Sequence, residues 1–206
     1  MPEIALASAG KREQTKLQNR NAILAAAREV FGEMGYDAAT VRDIIRRTDL
    51  AAGTFYNYFR SKEEAFAALA DEGAKRFAPI LKESRAGSND FESFVRSAIA
   101  AYYEFIADEH RNWVARRPAG ESHPHVQGET PETAAVFAEV RDAIVAEVAR
   151  GAPAVDADFL AAACIAVARG VGDKMLERRP IDTASAAEFA VGMILSGLKG
   201  LPRIGG

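Results

Sequence analysis

Apolar positions recur at helical spacing along nearly the whole chain. In "TKLQNRNAILAAAREVFGEMGY", Ile23, Ala27, Val30, Phe31 and Met34 fall on one face of a helix that Gly35 is placed to stop. Thr40 opens a short helix, "TVRDIIRR", whose Val41, Ile44 and Ile45 share a face while Arg42, Arg46 and Arg47 project elsewhere. The tight turn "TDLA" leads to a third helix over 53–59. Ser61 starts a fourth: "SKEE" reads as a capping box in which Glu64 reaches back. Phe66, Leu69, Gly73 and Phe77 continue that pattern until Pro79, which is expected to bend or end it. Later helices are expected at 90–109, 111–117, 132–149, 156–178 and 183–199. No sustained alternating run predicts a strand. The expectation is an all-α protein of about nine helices: a loose arm over 1–15, a three-helix head over 16–60, and a larger helical domain over 61–206.

The stretch "DLAAGTFYNYFRSK" sets Phe55, Tyr56, Tyr58 and Phe59 within five positions of a chain that is 8% aromatic. At about 100° per residue, Phe55 and Phe59 lie together and face inward. The tyrosines flank them, and Asn57 points away from the core. Core filling accounts for the phenylalanines but not for Asn57. An outward asparagine both donates and accepts hydrogen bonds, which suits a base edge. Tyrosine hydroxyls at its sides suit phosphate oxygens, and Gly53 permits close backbone approach. Lys62, in the first turn of the fourth helix, stands where the macrodipole disfavours a cation. A phosphate bound there would explain it; compensation by Glu63 and Glu64 is the simpler alternative. Two short helices joined by a tight turn form the helix-turn-helix pattern.

Charge changes the picture modestly. The 206 residues carry a net charge of -3. Residues 1–62 hold ten Lys/Arg against seven Asp/Glu, a net +3, and residues 63–206 hold sixteen against twenty-two, a net -6. A basic head on an acidic body is compatible with phosphate binding at one end. The single cysteine, Cys164, fits a reducing cytoplasm, the expected location. The longest clean apolar run, "FLAAACIAVA", is too short to cross a bilayer, so no membrane association is expected.

The segment "TVRDIIRRTDLAAGTFYNYFRSKEEAF" (40–66) resembles the helix-turn-helix of the tetracycline-repressor-like (TetR) family of bacterial regulators, and "AILAAAREVFGEMGYDAATV" resembles that family's first helix and following loop. The resemblance covers about 22–66. It implies that Thr40, Thr54, Tyr56, Tyr58 and Lys62 bind backbone phosphates of a double-stranded operator, and that Arg42, Ala52 and Asn57 approach bases. The turn departs from the family's usual Ala-Gly-Val-Ser: here it is Thr48-Asp49-Leu50-Ala51. Asp49 can take the left-handed conformation of a glycine at some energetic cost, and Ala51 cannot cap the next helix as serine would.

The family also implies a homodimer on a palindromic operator and a small-molecule effector, largely apolar, that releases a repressor from DNA. Ile165, Arg169, Val191, Ile194 and Leu198 are the expected dimer contacts. Tyr102, Tyr103, Phe105, Trp113 and Phe137 are the candidate pocket residues, each also explicable as plain core. Arg116 and Arg117 are candidates to meet an acidic ligand, with a solvated pair as the bland reading. Glu121, His123 and His125 do not form a recognised zinc spacing, so neither a metal nor a cofactor is expected. His110 reads as an ordinary helix-end histidine and Cys164 as a small buried hydrophobe. No phosphate-cradling glycine loop, nucleophile elbow or dinucleotide fingerprint occurs, so no enzyme is expected. The alternatives are an activator of the same fold, or a helical small-molecule-binding or scaffold protein that does not bind DNA.

Overall fold

The computed structural model describes the backbone of residues 3–114, 131–149 and 155–201. Among them are seven α-helices and one 3-10 segment: α1 (Glu3–Met34), α2 (Val41–Arg46), the 3-10 segment (Ala52–Asn57), α3 (Lys62–Ala86), α4 (Phe91–Val114), α5 (Pro131–Ala149), α6 (Ala157–Leu176) and α7 (Thr183–Leu198). Two expectations change and one narrows. The segment read as an arm is helical from Glu3 onward. Of the two outcomes open to Pro79, ending the helix does not occur, because α3 continues to Ala86. The helices expected at 90–109 and 111–117 are one helix as far as Val114; residues 115–117 lie outside the described residues.

The chain divides into two compact units between Ala70 and Asp71, inside α3, ten residues later than the boundary read from sequence. In the first unit, Ile23, Leu24, Ala27, Val30 and Phe31 of α1 enclose one core with Ile44 and Ile45 of α2, Phe55, Phe59, and Ala65 and Leu69 of α3. Burying each large side chain contributes about 1.5–3 kcal/mol. α1 stops where expected: Gly35 adopts φ 80°, the left-handed region open to glycine, and its N–H bonds the Phe31 carbonyl at 3.1 Å. Arg47 at the end of α2 is held to α1 by a guanidinium fork on Glu33 and a 3.4 Å bond to Glu29.

In the second unit, α4, α6 and α7 share a core built from Val95, Ile99, Tyr103, Leu160, Cys164, Met175, Ala190, Val191 and Ile194. Phe77 and Leu81 of α3 meet Phe94 and Ala143 in a neighbouring cluster, and Arg85 bonds Glu139 of α5 at 2.9 Å. Asp156 and Asp182 cap α6 and α7, Asp156 accepting the Asp158 and Phe159 N–H groups and Asp182 that of Ser185.

Candidate nucleic-acid interface

α2 begins with a reciprocal capping box. Thr40 Oγ1 accepts from the Asp43 N–H at 3.3 Å, Asp43 Oδ2 accepts from the Thr40 N–H at 3.1 Å, and the Thr40 hydroxyl donates to the same carboxylate at 2.5 Å. The Thr40 hydroxyl, and the Arg42 and Arg46 guanidiniums nearby, hold the Asp43 carboxyl below its usual range. The hydroxyl expected to bind a phosphate is therefore the N-cap of its own helix. Asp43 was not singled out from sequence, although "TVRD" is itself a capping-box signature.

The turn after α2 is made without a left-handed residue: among the described residues no position other than glycine has positive φ, so Asp49 does not play the glycine's part. Thr48 closes the turn instead. Its hydroxyl donates to the Ile45 carbonyl at 2.9 Å and accepts from the Leu50 N–H at 3.2 Å. Ala51 caps nothing with its side chain; its carbonyl accepts the Thr54 N–H at 2.8 Å.

The segment after the turn is a 3-10 helix over Ala52–Asn57, tighter than the α-helix expected. The inward and outward sorting is as expected. Phe55 is 0% exposed and Phe59 3%, whereas Tyr56 is 62% exposed. Asn57 and Ala52 are exposed, and Thr54 and Tyr58 are half-buried. The Tyr56 ring stands edge-on to Phe55 at 5.5 Å, so its apolar body is supported while its hydroxyl reaches outward. Arg42 and Arg46 lie one turn apart on α2, both exposed. Among the described residues, the side chains of Arg42, Arg46, Thr54, Tyr56, Asn57 and Tyr58 make no hydrogen bond. α2 and the 3-10 segment bury their apolar residues in one cluster, which leaves Arg42, Arg46, Tyr56 and Asn57 exposed while Tyr58 packs at the cluster's edge. Arg46, placed off the apolar face by the sequence pattern, is the member to which that pattern gave no contact. Its neighbour Arg47, by contrast, is engaged with α1.

Lys62 is placed differently from the expectation. Its Nζ donates to the carbonyl oxygens of Tyr36, Asp37 and Ala39 at 2.9, 3.3 and 3.1 Å, and stands 4.5 Å from the centre of the Tyr36 ring. The adjacent Glu63 accepts the Tyr36 hydroxyl at 3.0 Å. Burial, with that bond, pushes the phenol up to about 12. Ser61 accepts from the Glu64 N–H at 3.4 Å as the capping box requires, but Glu64 reaches one residue further back, to the Arg60 N–H at 2.6 Å.

Residues 23–69 match the family described as bacterial regulatory proteins, tetR family. The head of this chain is thus similar to the DNA-binding segment of the TetR family of bacterial regulators. Over 66 residues the chain is 41% identical to the HTH-type transcriptional repressor AcnR of Corynebacterium glutamicum, covering 32% of this chain and 35% of that protein. The HTH-type transcriptional activator FasR of Mycolicibacterium smegmatis is 26% identical over 200 residues, covering 94% of this chain and 90% of that one. In fold, the chain is similar to the transcriptional regulator FadR of Bacillus subtilis, solved in complex with stearoyl-CoA: TM-score 0.61, 17% identity, 85% of this chain and 97% of that one. The chain spans 35–46% of the length of the first curated relatives it matches. The TetR-family match falls on the first unit, where the polar groups described above are gathered.

The residues expected at a pocket and at a dimer contact lie in the second unit. Tyr103 is fully buried, and its hydroxyl has no hydrogen-bond partner among the described residues. Tyr102, Phe105 and Phe137 are half-buried against the cores. The Trp113 side chain lies outside the described residues, as do Arg116, Arg117, Glu121, His123 and His125. Val191 is 3% exposed and Ile194 7%, so both belong to their own unit's core and are not available to a partner. α7 is apolar on two stripes, and the outer one carries Phe189 and Met193, 63% and 55% exposed. Phe159 is exposed on α6, Arg169 is exposed, and Ile165 and Leu198 are half-buried. Burial pushes the Cys164 thiol up to about 11, which leaves it a poor nucleophile. Among the described residues no helix is long and apolar enough to cross a membrane, and no group of three or more His, Cys, Asp or Glu could hold a metal.

Proposed function

We propose that the protein is a sequence-specific DNA-binding transcriptional regulator, working in the cytoplasm as a homodimer and not as an enzyme. The observation that carries this reading is the pairing of sealed Phe55 and Phe59 with outward Arg42, Asn57 and Tyr56, whose side chains make no hydrogen bond among the described residues. Arg42 and Asn57 read base edges, with Ala52 offering a methyl contact. Thr54, Tyr56, Tyr58 and Arg46 bind phosphates. Thr40 contributes through its cap, which fixes the start of α2.

A single head reads few base pairs, so two heads are needed on half-sites about one helical turn apart. Phe159, Phe189 and Met193 supply the apolar surface for pairing, with Ile165, Arg169 and Leu198 at its margins. The effector is a largely apolar small molecule that enters the second unit and hydrogen-bonds the Tyr103 hydroxyl. The relative whose structure was solved with stearoyl-CoA makes an acyl chain one candidate. Because α3 supplies residues to both units, an effector that alters α3 alters the head. Couplings of this kind are typically about 1–3 kcal/mol.

Repression relieved by effector is the main reading, in line with the repressors matched over part of the chain. The relative matched along almost the whole chain is an activator, which keeps activation as the second reading. Titrating the protein into a duplex from its own upstream region at several salt concentrations tests DNA binding. The reading predicts preference over a scrambled duplex and a steep loss with salt. Equal affinity for both duplexes at every salt contradicts it. In vitro transcription from the bound promoter separates repression from activation.

A further inference from the structure

We propose that Lys62 is a positioning residue: its ammonium ties the α1–α2 turn to the start of α3, and so sets where α2 presents Arg42, in place of giving its charge to a phosphate. This rests on the DNA-reading function proposed above.

An ammonium has three N–H donors, and three carbonyls of one short turn, those of Tyr36, Asp37 and Ala39, receive them. The Tyr36 ring covers the same cation, and Glu63 holds the Tyr36 hydroxyl from the next position of α3. The turn is thus gripped by two successive residues at the start of α3. The last carbonyl gripped, that of Ala39, immediately precedes Thr40, the N-cap of α2, and Arg42 follows two residues later.

The arrangement also explains a lysine in the first turn of a helix, where the macrodipole is unfavourable. The carbonyl dipoles just beyond the end of α1 turn their negative ends to it. A lysine suits the place better than an arginine, because three acceptors surround one point and a planar fork does not match them. Moving Nζ onto a phosphate would leave those carbonyls without their donor.

The role separates from phosphate binding in three readouts, using the full-length protein and a duplex it selects. Lys62→Met is compared with the wild type, with Lys62→Arg, and in an Arg42→Ala background. The slope of log affinity against log salt should stay at the wild-type value in Lys62→Met. Discrimination at the base pair that Arg42→Ala identifies should fall about tenfold, should fall little further when Arg42 is already alanine, and should not be restored by Lys62→Arg. A general loss of folded protein would not move that ratio. Amide exchange over residues 37–43 of the free protein should accelerate. A slope smaller by about 0.9, with the same loss on every sequence, overturns the proposal. Should the wild type show no sequence preference, the functional reading fails by itself, and exchange still decides the clamp: unchanged rates over 37–43 overturn it.

Discussion

Gly172 of α6 meets Ile106 of α4 so closely that a methyl group added at position 172 would stand 2.8 Å from the Ile106 Cδ1, and 3.3 Å from the Tyr103 ring. This close approach of α6 to α4 leaves room at position 172 for a small side chain only. Gly172→Ala meets a movable methyl and gains helix propensity, so little change is expected. Gly172→Val drives a branched side chain toward the Tyr103 ring and should cost about 1–3 kcal/mol. Urea unfolding of the two variants checks the contrast.

Tyr103 itself gives a prediction of opposite sign. Its hydroxyl is buried without a hydrogen-bond partner among the described residues, a state that disfavours the fold by about 1–3 kcal/mol. Tyr103→Phe removes the hydroxyl and keeps the ring, so the effector-free protein should be unchanged or more stable. Effector binding should weaken at the same time. Thermal melts of both proteins, with and without effector, read both effects. A clear loss of stability without effector would mean that the hydroxyl is bonded after all.

The two apolar stripes of α7 should respond differently to substitution. Phe189→Asp with Met193→Asp places charges on the outer stripe and should convert a dimer to a folded monomer, measured by sedimentation at micromolar protein. Ile194→Ala empties part of the unit's own core and should instead lower stability by about 2–5 kcal/mol.

Acid should loosen the helix starts. Asp43, Glu63 and Asp182 all have folded-state pKa values below the ordinary ones, through hydrogen bonds from Thr40, Ser61 and the Ser185 N–H respectively. A depressed carboxylate stabilises the fold above its unfolded pKa, and that stability is lost as pH falls through the folded value. Melting temperature should therefore drop between about pH 5 and about pH 3. Asp182→Asn keeps a good cap without a titrating group, so its curve should fall less steeply over that range.

Much of the head was legible because its determinants are local. Phe55 and Phe59 are four residues apart, Gly35 stops a helix, and burial follows both signals. The partners of Lys62 were not legible, since they lie 23 to 26 residues away. A reading of its own turn shows only an unfavourable dipole. The Asp49 substitution hid a second device, because the Thr48 hydroxyl supplies by side chain what a glycine supplies by backbone. In α7 the pattern alone did not choose between stripes: Val191 and Ile194 look as suitable for a partner as Phe189 and Met193 until the packing of α6 claims one pair.

The central claim is that Arg42 and Asn57, held outward over two sealed phenylalanines, read bases. Selection from a pool of random duplexes tests it most directly, since the protein itself then picks out its operator. The wild type should enrich a sequence of two related half-sites. Asn57→Ala and Arg42→Ala should remain folded, with stabilities within about 0.5 kcal/mol, and should each relax the preference at different base pairs. No enrichment by the wild type, or the same enriched sequence from all three proteins, would contradict the account.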